Sequence, residues 1–197
     1  MTARLVLGTR NPGKVAELRA LLRGLDLELV DVADLPDAPP EPPEDAPSYA
    51  ENAVAKAIAY ASATGLATVA DDSGLEVDAL GGAPGVRSRR FFGDDVTPAE
   101  RNRMLLALLD GVRDRTARFV AVIALAQPDG RVETFDGEVR GEIAESPRGE
   151  DGFGYDPVFV IAEDGRTMAE VPREEKNAIS HRGLAAAKLR AALASGR

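Results

Sequence analysis

The sequence predicts an α/β fold built around a mixed β-sheet. Short apolar runs alternate with segments of helical periodicity through the first half of the chain, as they do in parallel βαβ units. The turn sequence Gln127-Pro128-Asp129-Gly130 separates two further apolar runs and predicts an antiparallel hairpin. Hydrophobic residues make up 44% of the 197 residues, which is enough for a sizeable core. We therefore expect a single domain over residues 1–197.

The individual elements follow from two patterns, one of short consecutive apolar runs and one of apolar residues at spacings of three and four. The predicted strands cover residues 5–7, 27–32, 67–70, 119–126, 132–139 and 158–161. The predicted helices cover residues 14–23, 49–64, 98–109 and 181–193. Residues 34–47 contain six prolines and five acids, so we expect an exposed loop there, either a spacer or a rim that brings Glu44 to a site.

Charge and composition exclude several classes of function. Acids outnumber bases 33 to 24, for a net charge of -9, so no broad cationic face for a nucleic-acid polymer is expected. A small anion such as a nucleotide needs only a local cluster of cations and N–H groups. The chain has no cysteine, and no apolar stretch approaches the ~20 residues that a membrane helix needs. We expect a soluble cytoplasmic protein that binds neither a membrane nor a nucleic-acid polymer.

A glycine-containing turn follows the first predicted strand. Its sequence is Gly8-Thr9-Arg10-Asn11-Pro12-Gly13-Lys14-Val15, with Asn11 placed as a helix N-cap and Pro12 at the first helical position. Such a turn presents N–H groups to an anion, and its spacing fits the phosphate-binding pattern GxxxxGK. Val15 stands where that pattern needs a hydroxyl for Mg²⁺, so the match is broken. What remains is a predicted phosphate cradle with Lys14 as a point charge, or simply a capped helix.

Two adjacent acids follow the third predicted strand. Asp71 and Asp72 come directly after the apolar run Thr68-Val69-Ala70 and precede Ser73-Gly74. Carboxylates at the rim of a sheet are the hard oxygen ligands that Mg²⁺ prefers, which predicts a metal site. Paired acids are also common in turns, so the segment taken alone is equally compatible with a turn. Glu44 is a further candidate ligand, because Mg²⁺ usually takes one or two carboxylates with waters and substrate phosphates.

Two later segments are candidates for binding a base. Phe153-Gly154-Tyr155-Asp156 combines aromatic faces, a glycine and an acid that accepts hydrogen bonds, although a glycine-rich loop anchored by core aromatics would look the same. His181 is the only histidine, and a lone histidine before a helix is more often a cap or packing residue than a catalyst. Arg182 only donates hydrogen bonds and would favour a 6-oxo purine over adenine.

Taken together, six ordered motifs resemble the inosine triphosphate pyrophosphatase family, enzymes that hydrolyse ITP, dITP and XTP to the monophosphate and diphosphate. The motifs are Thr9 to Lys14, Glu51-Asn52 with Lys56, Asp71 to Leu75, Leu80 to Gly85, Phe153 to Asp156, and Glu175-Lys176-Asn177 leading to Ser180-His181-Arg182. The resemblance implies an elongated α/β fold with a central mixed sheet flanked by helices. It also implies two lobes with a nucleotide cleft, Mg²⁺ dependence and a homodimer.

The resemblance further implies roles for individual residues. Asp72 would be the proton acceptor and a metal ligand, Glu44 a second metal ligand, and Lys14 a catalytic cation. The implied triphosphate contacts are Thr9, Arg10, Asn11, Pro12, Gly13, Lys14, Lys56 and Ser73. The implied base contacts are Phe153, Gly154, Tyr155, Asp156, Lys176, His181 and Arg182. Three of these residues belong to a set of only four lysines among 24 basic residues, which fits a need for a compact ammonium group.

These residues predict hydrolysis by a metal-activated water that attacks the α-phosphorus, with Asp72 orienting or deprotonating the water. Two alternatives stay open from the sequence. One is a P-loop ATPase or kinase, favoured by GxxxxGK and disfavoured by Val15. The other is a protein that binds a nucleotide without turning it over.

Overall fold

The computed structural model describes residues 2–35 and 37–195, and it has the predicted α/β architecture with a mixed sheet. Met1, Pro36, Gly196 and Arg197 lie outside the described residues. The strands are β1 (Ala3–Leu7), β2 (Leu27–Asp31), β3 (Ala67–Val77), β4 (Thr116–Ala126), β5 (Val132–Ile143) and β6 (Phe159–Ile161). The helices are α1 (Pro12–Leu21), α2 (Tyr49–Thr64), α3 (Pro98–Leu108), α4 (Arg173–Ile179) and α5 (His181–Ala194).

The six strands pair in the order β2-β1-β3-β4-β5-β6. β1 is parallel to both β2 and β3, with Leu5 opposite Leu29 on one side and Ala67 on the other. β5 and β6 are antiparallel, with Gly141 opposite Ile161. The predicted turn between β4 and β5 is present, since the Gln127 N–H donates to the Arg131 carbonyl at 2.8 Å. The sheet is therefore mixed, as predicted.

The described chain divides into two compact units. The first comprises the segment up to Asp72, Ala121–Gly137 and the segment from Arg182 onward. Helices α1 and α5 contribute to its main core together with β1, β3 and β4. The buried members of that core are Leu5, Leu7, Leu18, Leu22, Val69, Ile123, Leu125, Ala185, Ala186 and Leu189. A second cluster, formed by Val6, Val32 and Tyr60, packs α2 against β1.

The second unit comprises Ser73–Val120 and Glu138–His181. Its core joins the end of β3, the start of β4 and the end of β5 to α3 and the segment around β6. The buried members are Leu75, Val77, Leu105, Leu109, Ala117, Phe119, Ile143, Tyr155, Val158, Phe159, Ile161, Met168 and Val171. That the whole of residues 1–197 forms one domain stays a prediction.

Strand β3 is longer than the sequence predicts, and this corrects the position of the two acids. The sequence pattern ends the strand at Ala70, but the strand continues through Asp71 and Asp72 to Val77. β1 pairs with β3 only as far as Leu7 opposite Val69, so the acids lie on the stretch of β3 just beyond the end of β1. A strand is defined by its backbone hydrogen bonds, and polar side chains are tolerated inside it when each finds a partner.

Other elements also differ from expectation. β4 begins at Thr116 where the prediction begins at residue 119, and β5 continues to Ile143 where the prediction ends at residue 139. Residues 173–179 form the short helix α4, which the predicted elements do not include. A 3₁₀ turn, Val32–Asp34, begins the proline-rich segment. The described residues between this turn and α2, which do not include Pro36, form no helix or strand. The prediction of an irregular loop is otherwise confirmed. None of the helices among the described residues is long and apolar enough to span a bilayer.

Gly8 is required where the chain leaves β1. Its N–H donates to the Val69 carbonyl at 2.7 Å, and a Cβ at this position would lie 2.9 Å from the Tyr60 ring and 3.0 Å from both Thr68 and that carbonyl. We expect Gly8→Ala to displace the side chains of Tyr60 and Thr68 and the backbone at Val69, and to lower the free energy of unfolding by about 1–3 kcal/mol. Urea denaturation followed by circular dichroism measures the change. An unchanged midpoint would show that the crowding is relieved without cost.

Candidate active site

Asp71 is a fully buried carboxylate surrounded by cations of the first unit. Its Oδ2 accepts from Arg182 Nε at 3.0 Å and lies 3.2 Å from Lys14 Nζ. Its backbone carbonyl accepts from Lys56 Nζ at 3.1 Å. The cost of burying a carboxylate is offset only by such pairing, so these three cations stabilise the charged form.

Arg182 forms an ion pair with Asp71 and a second one with Glu17 on α1. Arg182 is 2% exposed and donates from Nη1 to Glu17 Oε2 at 2.6 Å. Burial alone would raise the pKa of Asp71, but Lys14 and Arg182 outweigh it and hold that pKa well below its ordinary value. Burial lowers the pKa of Lys14, with Asp71 opposing the change. The result is a buried chain of alternating charges: Glu17, Arg182, Asp71 and Lys14.

Asp72 has a different environment from its neighbour, since successive side chains on a strand point to opposite faces. It is 4% exposed, and its Oδ2 accepts from Asn52 Nδ2 at 2.9 Å. Burial raises the pKa of Asp72 and the negative charge of Glu44 raises it further, whereas Lys14 and the Asn52 hydrogen bond lower it. A carboxylate with a raised pKa, and thus greater basicity, is suited to accept a proton from water.

Glu44 and Lys56 form an ion pair beside the two aspartates. The Lys56 ammonium donates to Glu44 Oε1, and the Lys56 side chain is 2% exposed while that of Glu44 is 23% exposed. Burial acts to lower the pKa of Lys56, but Glu44 and Asp71 outweigh it and raise the pKa. The loop therefore brings Glu44 to the same group of charges as Asp71, in agreement with one of the two interpretations of the loop sequence.

The turn after β1 has the helix cap that the sequence predicts. Asn11 is the N-cap and Pro12 the first residue of α1, as expected. The Asn11 side chain accepts from the N–H groups of Gly13 at 2.9 Å and Lys14 at 3.3 Å, and the Asn11 N–H donates to Thr9 Oγ1 at 3.2 Å. The N–H groups of Gly13 and Lys14 thus have partners within the turn. That the turn binds an anion stays a prediction, and the nearby lysine cations are further anion-binding groups.

Arg10 lies on the exposed side of this turn. Its Nη2 donates to the Pro39 carbonyl at 2.8 Å and so ties the turn to the proline-rich loop. Thr9, by contrast, is 2% exposed.

The predicted base-binding residues of the second unit form a cluster of their own. Asp156 is 3% exposed and its Oδ2 accepts from both Phe153 N and Lys176 Nζ at 2.7 Å. The Lys176 ammonium lies 5.2 Å from the centre of the Phe153 ring. Lys176 therefore makes a cation–π contact as well as an ion pair, and both hold the Phe153 ring in place.

Tyr155 and Gly154 anchor this segment. Tyr155 is 4% exposed, and its hydroxyl donates to the Ser88 carbonyl at 3.0 Å. Asn102 on α3 donates to the Gly154 carbonyl at 3.1 Å. Tyr155 thus packs in the core of its unit, which leaves Phe153, half-buried, as the aromatic face of the segment.

His181 and Ser73 complete the residues placed by the sequence. The His181 ring is 5% exposed and stacks on Phe119 with 4.7 Å between the ring centres. It begins α5, and packing is the role that the sequence favours for a lone histidine. Ser73 is half-buried and follows Asp72 on β3.

The donor chemistry around Asp72 fits a divalent cation of the Mg²⁺ type. Asp72 and Glu44 supply hard carboxylate oxygens, and they lie near enough for the charge of Glu44 to act on Asp72. Within residues 2–35 and 37–195, no three or more His, Cys, Asp or Glu side chains form a metal-binding group. Two carboxylates, completed by waters and phosphate oxygens, are the usual protein contribution to Mg²⁺.

With this geometry in place, comparison with known proteins identifies the family. The model of the Ham1 family matches residues 5–192. The chain belongs to the Ham1 family. Its relatives include the dITP/XTP pyrophosphatase of Geobacter sulfurreducens, which is 51% identical over 95% of this chain and 94% of that protein. The dITP/XTP pyrophosphatase of Symbiobacterium thermophilum is 53% identical over 94% and 92% of the two chains.

Solved structures confirm the fold of this Ham1 family member. A HAM1 protein from Coxiella burnetii superposes with a TM-score of 0.89 at 41% identity, over 98% of this chain and 99% of that one. A nucleoside-triphosphatase named dITP/XTP pyrophosphatase from Mycobacterium abscessus gives a TM-score of 0.73 at 44% identity, over 94% and 97%. The resemblance inferred from the six motifs is thereby confirmed.

The sequence alone assigns no role to three residues that contact the candidate site residues. Glu17 lies three residues after Lys14, a spacing that places both on one face of a helix. Asn52 lies four residues before Lys56, again on one helical face. Asn102 donates to Gly154 from 52 residues away, and no local signal indicates it.

Proposed function

We propose that this chain hydrolyses non-standard purine nucleoside triphosphates, namely XTP, dITP and ITP, to the nucleoside monophosphate and diphosphate. It is then a nucleoside-triphosphate pyrophosphatase that removes these nucleotides from the cellular pool. The observation that carries the proposal is the grouping of Asp72 and Glu44 with Lys14 and Lys56, which combines metal-type and phosphate-type partners. Relatives named dITP/XTP pyrophosphatase, whose sequences are 51% and 53% identical to this chain over more than nine-tenths of both proteins, support the proposal.

The cations are proposed to bind the triphosphate. Lys14 and Lys56 lie beside Asp71, and both supply compact ammonium groups with several donors. Thr9, Asn11 and Ser73 are proposed to contribute hydroxyl or amide groups, and the neighbouring Arg10, Pro12 and Gly13 to shape the turn. The positive charge neutralises the diphosphate as it leaves.

Asp72 and Glu44 are proposed to hold Mg²⁺. When bound there, Mg²⁺ would supply Lewis-acid polarisation of the phosphate and lower the pKa of a bound water. Asp72 would orient the attacking water and take its proton, while the lysines hold the phosphates for in-line attack at the α-phosphorus. Little covalent chemistry is required of the protein, so positioning and charge supply most of the rate enhancement.

The cluster of the second unit is proposed to bind the purine base. Phe153 offers a ring face, and its orientation is held by Lys176 and Asp156. Gly154, Tyr155, His181 and Arg182 are proposed to contribute as well. Arg182 donates hydrogen bonds to Asp71 and Glu17, so its proposed part in selecting the base acts through those carboxylates more than through its own contact with the base.

A cytoplasmic location and a homodimer are part of the same proposal. Cytoplasmic location fits an enzyme that acts on the nucleotide pool, and a homodimer follows from the resemblance. The P-loop alternative is not favoured, because the relatives are named dITP/XTP pyrophosphatase and Val15 replaces the hydroxyl residue of the P-loop pattern.

The test is product analysis with XTP, dITP, ITP, GTP and ATP in the presence of Mg²⁺ or of EDTA. We expect metal-dependent diphosphate release from XTP, dITP and ITP, with GTP and ATP far slower. Orthophosphate from ATP would select the P-loop class instead. Tight binding of XTP with no product under saturating Mg²⁺ would select a non-catalytic binder.

A further inference from the structure

Asn52 is a buried side chain in the first turn of α2 to which the proposed reaction gives no part. It is 1% exposed and lies on the helical face that also carries Lys56. A buried amide that is not needed by the helix must satisfy both its donor and its acceptor elsewhere.

The two ends of the Asn52 amide bond to two separate segments. Its Nδ2 donates to Asp72 Oδ2 at 2.9 Å, on strand β3. Its Oδ1 accepts from the Ala46 N–H at 2.9 Å, and Nδ2 also lies 3.5 Å from the Ala46 carbonyl. The side chain is therefore a bridge between β3 and the proline-rich loop.

This bridge links the two carboxylates that the proposed function assigns to Mg²⁺. Glu44 lies two residues before Ala46, in a loop with no helix or strand among its described residues between Val32–Asp34 and α2. Ordering such a segment costs about 1–2 kcal/mol per residue in backbone entropy, so a buried contact is needed to fix it. The Asn52 side chain fixes the loop at Ala46 and the Asp72 carboxylate at the same time.

We propose that Asn52 is a positioning residue that sets the arrangement of Asp72 and Glu44 for one shared divalent cation. The inference rests on the proposed function for the identity of the two ligands. Only an amide serves here, because the site needs a donor towards a carboxylate and an acceptor for an N–H. The substitution Asn52→Asp would place a second negative charge against Asp72, and a hydroxyl would be too short to reach both partners.

The test uses Asn52→Leu, which keeps about the same volume but removes both hydrogen bonds, and Ala46→Pro. Ala46→Pro removes the N–H that donates to Asn52, and it also fixes φ at residue 46 and restricts residue 45. Ser48→Ala is the matched control. Ser48 caps the same helix by accepting from Glu51 N at 3.2 Å, and its hydroxyl donates to the Glu51 carboxylate at 2.8 Å. Asn52→Gln retains an amide and serves as the conservative variant.

The main readout is binding of Mn²⁺ alone, measured by electron paramagnetic resonance in the absence of nucleotide. We expect Asn52→Leu to weaken Mn²⁺ binding by about 10–100-fold, with Ala46→Pro weakened less and Asn52→Gln partly restored. Ser48→Ala should lower the unfolding temperature without changing Mn²⁺ binding. In kinetics, Asn52→Leu should raise the Mg²⁺ concentration for half-maximal activity and leave the ratio of XTP to GTP turnover unchanged.

Equal Mn²⁺ binding by the wild type and Asn52→Leu, including no binding by either, would overturn the inference. So would equal loss in Asn52→Leu and Ser48→Ala, because that would reduce Asn52 to a stabilising residue of α2. Ala46→Pro keeps the test valid if Asn52→Leu does not fold. Failure of the proposed function shows separately, as a wild type whose Mn²⁺ binding depends on Asn52 but which releases no diphosphate from XTP.

Discussion

Replacing Asp72 by Asn is expected to lower kcat for XTP by about 10²–10⁴-fold, since general-base catalysis contributes on that order. Asn keeps the size of the side chain and can still accept from Asn52, so the fold should be retained. It cannot take a proton from water, and it supplies a weaker ligand to Mg²⁺. Initial rates of diphosphate release over a range of XTP and Mg²⁺ concentrations measure kcat and KM separately.

The matched control is Asp78→Asn. Asp78 is exposed and follows the last residue of β3, so it shares the chain segment but not the site. Its replacement should leave kcat unchanged. Near-normal kcat in Asp72→Asn would show that Asp72 is not the proton acceptor and that another group acts as the base.

Replacing Asp71 by Asn is expected to destabilise the first unit strongly. The variant leaves Lys14 without the carboxylate 3.2 Å from its Nζ, and it leaves Arg182 with Glu17 as its carboxylate partner. Breaking a buried ion pair by removing one partner costs about 3–5 kcal/mol, because the other charge stays buried and uncompensated. Urea denaturation of wild type and variant at pH 7 measures the difference in the free energy of unfolding.

The pH dependence of this difference follows from the direction of the pKa shift. The pKa of Asp71 is lower in the folded protein than in the unfolded chain, so its stabilising contribution is fully present above the unfolded value. It is lost progressively as the pH falls from the unfolded value through the lower, folded value. The gap between wild type and Asp71→Asn should therefore stay constant from about pH 5 upward and narrow steadily as the pH falls below that.

Lys188→Met provides the contrast for an exposed pair. Lys188 Nζ lies 3.0 Å from Asp136 Oδ1, and both side chains are more than half exposed. Water and salt screen such a pair, so its loss should change stability little. Equal effects of Asp71→Asn and Lys188→Met would contradict the assignment of Asp71 as the buried centre of the charge network.

Local signals explain why some elements were predictable. Helix α2 has the predicted bounds, because Ser48 is a side-chain N-cap and Gly65 ends the helix in the left-handed conformation with φ of 66°. The cap at Asn11 was predictable for the same reason. The cap also implies its hydrogen bonds, because an N-cap side chain accepts from N–H groups in the first turn of the helix, here those of Gly13 and Lys14.

Long-range partners explain what the sequence could not predict. The extension of β3 through Asp71 and Asp72 lacks apolar periodicity, and the acids are accommodated by Lys14 and Arg182, 57 and 111 residues away in the chain. The bond from Arg182 to Glu17 spans 165 residues. Such contacts depend on the packing of α1 and α5 against the same sheet, which no local pattern encodes.

The most direct test of the central claim, water attack at the α-phosphorus, is hydrolysis of XTP by the wild-type protein in ¹⁸O-labelled water with Mg²⁺. Mass spectrometry of the products from a single turnover shows which phosphorus received the water oxygen. The account predicts one ¹⁸O atom in the xanthosine monophosphate and none in the diphosphate. Label in the diphosphate, or labelled orthophosphate, would contradict it.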